Sequence, residues 1–127
     1  MEADLTPERE TLLKLLETAN IEVIQNADMC RERGNRYAGF TISTPYNQTI
    51  KVIICTDALN EHAKGYRYKL ELNRTVDHEA LHAAQFCKHG YSPGSVSDDW
   101  TTDSEMEAVS YEDRPQAVGE QLIKFCF

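Results

Sequence analysis

His78-Glu79-Ala80-Leu81-His82 sets two imidazoles four residues apart, with a carboxylate beside the first. On a helix, residues i and i+4 share a face about one turn apart, so both rings can reach one tetrahedral ion. Zinc is the natural occupant of such a pair. It lowers the pKa of a bound water toward about 7, and a neighbouring carboxylate can take the proton that leaves. Each specified position of His-Glu-x-x-His therefore has a chemical task in metal-assisted hydrolysis, with Glu79 as general base and His78 and His82 as ligands. The plainer reading is a helix that merely carries two histidines. Against it, Ala80, Ala83 and Ala84 surround the motif, and small residues let another backbone come close.

An open zinc site needs a third protein ligand. His89 lies seven residues past His82, about 10 Å along a continuous helix, which is too far to share the ion. Its position suits a cation at a helix C-terminus. The better source is Asp103-Ser104-Glu105-Met106-Glu107-Ala108, which offers two glutamates. They point about 160° apart on a helix, so only one can ligate. If Glu105 faces the ion, Ala108, Val109 and Glu112 share its face; Ala108 lets the helix close on Ala83, and Val109 seals the site from water. If Glu107 faces it, the companions are Ser110 and Tyr111. The first set packs better against an alanine-lined helix, so Glu105 is the expected ligand and Glu107 the alternative. Asp77, Gln85, Asp98 and Asp99 are candidates to orient a histidine. Tyr91 and Tyr111 carry hydroxyls of the kind that can steady an oxyanion, although Tyr111 reads better as core, and Trp100 as core or pocket wall.

These side chains need elements to hold them. Thr6-Pro7-Glu8 has the cap, proline and acid of a helix start, and Leu12, Leu13, Leu15, Leu16 and Ala19 follow as an apolar face ending near Asn20. Residues 37 to 56 predict a hairpin, with Ala38, Phe40 and Ile42 alternating, a turn over 44 to 48, and a second strand from Thr49 whose run Val52 to Cys55 is buried on both faces. Asp57 to Lys64 predicts a short helix ended by Gly65. Tyr66 to Asn73 alternates apolar and polar residues, which favours an extended segment. The motif helix is expected from Thr75, as cap, to His89, with Gly90 as stop. Residues 91 to 102 read as a loop, a short helix starts near Asp103, and Pro115 opens a last helix with Val118, Leu122, Ile123 and Phe125 near one face.

Residues 75 to 112 resemble a minimal zincin of the gluzincin-like kind, on His78, Glu79 and His82 and on Glu105-Met106-Glu107-Ala108, placed 23 residues after His82. The resemblance implies an α+β zincin-like fold. In it the motif helix packs on a small sheet containing the hairpin, and C-terminal helices supply the third ligand. It also implies a zinc-dependent hydrolase acting on a peptide or protein. Many relatives carry Asp or Asn four residues after the ligand glutamate; here that residue is Val109, which keeps Glu107 open. A non-catalytic module on the same fold is the competing class, and Glu79 speaks against it, since a structural site needs no base. A di-iron bundle needs a second Glu-x-x-His, and no other histidine has a glutamate three residues before it.

The 127 residues predict one domain over 1–127, large enough to bury a core without a metal or disulfides. The net charge of −8 repels phosphate backbones, so no nucleic-acid partner is expected, and mildly favours basic or neutral substrates. Arg31, Arg33 and Arg36, interrupted by Glu32, are too few for a phosphate track and read as a solvated turn. No apolar run is long enough to span a bilayer, and the acidic start lacks a signal layout, so a soluble, cytoplasmic chain with no membrane partner is expected. Its four cysteines contain no Cys-x-x-Cys and are expected to be reduced core thiols.

Overall fold

Ile50, Val52, Ile53, Ile54 and Cys55 are all buried, so the strand that carries them needs cover on both faces. A computed structural model, which describes residues 1–44, 49–90 and 102–127, shows how that cover is supplied. Helix α1 (Pro7–Thr18) starts at Thr6, whose hydroxyl accepts from the Arg9 backbone N–H. Strand β1 (Glu22–Gln25), helix α2 (Asp28–Glu32), strands β2 (Gly39–Thr44) and β3 (Thr49–Ile54), and helix α3 (Thr56–His62) follow. Then come helices α4 (Gly65–His89), α5 (Thr102–Ser110) and α6 (Pro115–Cys126).

The sheet order is β1-β3-β2, with β3 parallel to β1 and antiparallel to β2. The hairpin stands as expected, and its second strand is the central one. Alternation sorts β3 onto two cores. Ile50, Val52 and Ile54 join Leu12, Leu16, Leu72, Val76, Phe86 and Leu122 in the larger. Ile53 and Cys55 join Phe40, Cys30 and Ala58 in the smaller. The coarse class is therefore α+β, with α4 packed against α1, α6, β2 and β3. Among the described residues, no helix is long and apolar enough to cross a membrane.

Four expectations need correction. Residues 66–73 are not extended: α4 begins at Gly65 and runs through them without interruption. Tyr68, Leu72 and Val76 are spaced by four and face the core, so the helical period wins over the alternation that Tyr66 suggests; Tyr66 itself is 81% exposed. Thr75 is not a cap, because its hydroxyl donates to the Glu71 carbonyl inside the helix. Strand β1 and helix α2 were not expected; they are short, and Asn20 and Asn26, both at positive φ, bound the strand where glycine or proline is the usual sign.

The cysteines are the fourth. They form Cys30–Cys55 and Cys87–Cys126, with Cα separations of 5.8 and 5.2 Å. The first ties α2 to the residue after β3. The second ties the motif helix to the last turn of α6. Such links typically stabilise by about 2–4 kcal/mol each, and the pairing corrects the expectation of reduced core thiols. The turn at 45–48 and the 91–101 segment, with Tyr91, Asp98, Asp99 and Trp100, lie outside the described residues.

Candidate metal centre

Helix α4 carries His78, His82 and Gln85 at i, i+4 and i+7, on a stripe flanking its core face of Leu72, Val76, Ala80 and Ala83. Helix α5 lies against α4, with Ala108 fully buried, and brings Glu105 onto the histidines. One oxygen of Glu105 is 2.7 Å from Nε2 of His82, and the other is 3.3 Å from Nε2 of His78. Ligand atoms of these three residues lie within 4.8 Å of one another. Glu105, not Glu107, thus joins the cluster.

The opposite edges of both rings are held. Nδ1 of His78 donates to Glu112 at 2.9 Å, and Nδ1 of His82 donates to Oε1 of Gln85 at 2.7 Å. The Gln85 orientation is fixed by its own amide nitrogen, which donates to the Ser104 carbonyl and to Glu107 at 3.0 and 2.8 Å. Each ring therefore spends its Nδ1 proton on a fixed acceptor and turns Nε2 toward Glu105. A neutral imidazole in that tautomer offers a lone pair there, directly opposite a carboxylate. At such distances a positive charge sits between the two, either a proton on Nε2 or a cation in its place. Two histidine nitrogens and one carboxylate are also a donor set that zinc accepts.

The electrostatics agree. Burial works against charge on His78, but the hydrogen bond to Glu112 and the negative field of Glu79, Glu105 and Glu112 prevail and push its pKa up to about 9. Carboxylates that attract a proton so strongly also attract a dication. His82 moves the other way: burial and then the charge of His78 lower its pKa, against the pull of Gln85 and Glu105. A buried neutral ring is what a metal ligand must be.

Glu79, about 100° around α4 from His78, lies under β2. Thr41 on that strand places its hydroxyl 2.8 Å from Oε1 of Glu79 and 2.9 Å from the Glu79 carbonyl. The approach is close enough to demand glycine at the start of β2. A Cβ on Gly39 would lie 2.8 Å from the Ile53 carbonyl and 3.0 Å from Cγ of Glu79. A cleft of about 250 Å³ opens here, lined by Tyr37, Gly39, Arg74, His78, Glu79 and Glu112 among others. The base candidate and one metal-ligand candidate therefore border the same hollow.

The orienting residues are only partly those expected. Gln85 does orient His82. Asp77 does not touch a histidine: it takes a two-point ion pair from Arg9, at 2.9 and 2.6 Å, and a bond from the Asp113 backbone N–H. Glu112 orients His78 and was foreseen only as sharing the face of Glu105. Val109 does not seal the site; it is 56% exposed. Tyr111 is half-buried against the core with Arg114 over its ring, as a core residue. His89 is the exposed last residue of α4. Tyr37 and Arg74, both in the cleft, had no motif to reveal them. Replacing Gln85 by alanine is expected to lower metal affinity about 10- to 100-fold, because His82 loses the acceptor that fixes its tautomer. Titration of zinc against a competing chelator measures it, and an unchanged affinity would show that Gln85 serves only to dock α5.

The fold and the cluster define a small α+β domain with a partly buried His-His-Glu constellation, one histidine of which lines a cleft. By sequence the chain belongs to the family described as Domain of unknown function (DUF8637), whose model matches residues 4–100. That match takes in His78, Glu79 and His82 and ends before Glu105. No curated protein matches the chain, and no solved structure does.

Proposed function

We propose that this chain is a zinc-dependent hydrolase of zincin type that cuts peptide bonds. The observation that carries the reading is the two Nε2 atoms turned onto the Glu105 carboxylate while both Nδ1 atoms are committed elsewhere. His78, His82 and Glu105 would hold the ion. When bound, zinc supplies Lewis acidity at neutral pH.

The remaining work falls to the chain. Glu79 accepts the proton of the attacking water and passes it to the leaving amine. Thr41 holds that carboxylate in place. Tyr37 and Arg74 bring donors to the cleft, where they would face a developing oxyanion. Strand β2 is an edge of the sheet, so its outer side can take an extended peptide by strand addition. Hydrolysis of an unfolded protein substrate should disappear on treatment with a zinc chelator and return with stoichiometric zinc. Hydrolysis that persists in the chelated protein would refute the assignment.

A further inference from the structure

The chain carries seven arginines. Arg9, Arg31 and Arg74 are paired with carboxylates, and Arg33 and Arg114 lie over aromatic rings. Arg36 and Arg67 have no such partner among the described residues. Both line one recess of about 230 Å³, together with His62. An acidic chain of net charge −8 thus places in a single hollow the two guanidinium groups that lack such a partner among the described residues.

That hollow is not isolated. Tyr37, Ala38 and Glu71 line both it and the cleft beside Glu79. The two form one groove, walled on one side by α4, on which Arg67, Glu71, Thr75 and His78 fall along one face. Glu71 is the carboxylate at the junction; it faces Arg74 at 3.8 Å on the cleft side and leaves the far end basic.

We infer that this basic recess is a substrate subsite that takes an acidic side chain, aspartate or glutamate, of a peptide lying in the groove. The inference rests on the hydrolase reading for what happens at Glu79, but the recess binds on its own chemistry. Guanidinium groups match carboxylates in shape and charge. Arg67 lies eleven residues before His78 on α4, about 16 Å along the helix. An extended peptide advances about 3.3 Å per residue, which puts the acidic residue about five positions from the bond that is cut. The preference therefore runs opposite to the one the net charge alone suggests.

The test is a binding measurement on the zinc-loaded Glu79→Gln protein, which cannot consume its ligand. The probes are two labelled peptides of about twelve residues, roughly 40 Å extended. One carries a Glu-Asp pair near one end, and the other carries Gln-Asn there. The acidic peptide should bind about five- to tenfold tighter, with the advantage shrinking as salt is raised. Adding Arg36→Gln and Arg67→Gln should bring the ratio to about one, and Arg67→Glu should reverse it. Both positions are exposed, so the fold should tolerate the changes. Equal affinities in the parent protein, a ratio unchanged by the arginine variants, or no binding of either peptide overturns the subsite. Acidic preference with no cleavage by wild-type protein would support the subsite and count against the hydrolase reading. Cleavage of both peptides with a ratio of one would do the reverse.

Discussion

Glu79→Gln is expected to leave zinc bound at wild-type affinity while lowering peptide hydrolysis by about 10²- to 10⁴-fold. The two effects separate because Glu79 is not in the cluster of possible ligand atoms, which comprises His78, His82 and Glu105. Its carboxylate lies toward β2 and is held by Thr41. Glutamine keeps the size of the side chain and can still accept from that hydroxyl, so the packing under Gly39 survives. What it lacks is a basic oxygen to receive the proton of the attacking water. Steady-state rates beside metal content in the same preparations provide the comparison. Wild-type turnover in the variant would remove Glu79 from the mechanism; loss of metal would make it a ligand.

Arg9→Ala is expected to destabilise the fold by about 3–5 kcal/mol. Asp77 has no exposed side-chain surface, and Arg9 grips both its oxygens. Removing the cation strands a buried carboxylate whose one remaining partner among the described residues is the Asp113 N–H. The pair also has a positional role. Asp77 precedes His78, and Asp113 follows the Glu112 that orients it, so one carboxylate ties α1, α4 and the turn after α5 together. Denaturant midpoints measure the loss. Arg9→Met combined with Asp77→Leu should be much less harmful than Arg9→Ala alone, since no unpaired charge then remains. A small loss in Arg9→Ala would mean that water reaches Asp77.

The core of the site was legible because its chemistry is local. His78, Glu79 and His82 are fixed by helical spacing, and Glu105 by the face it shares with Ala108. The hairpin and the start of α1 were legible for the same reason, since alternation, capping and proline act over a few residues. What escaped depends on distant segments. Glu112 reaches His78 only because the turn after α5 is anchored on Asp77. Tyr37 and Arg74 enter the cleft only once β2 lies across α4. Cys30 and Cys55 stand 25 residues apart with nothing in their spacing to pair them. The first two turns of α4 were misread because eight residues that alternate also satisfy a helical stripe when Leu72 and Val76 continue it.

The claim on which everything rests is that His78 and His82 hold one ion in common. Metal analysis of the zinc-equilibrated and desalted protein tests it directly, with His78→Ala and His82→Ala treated alike and their folds checked by circular dichroism. The wild-type protein should retain about one zinc per chain, and each folded variant should lose it. Equal zinc in all three proteins would contradict the account.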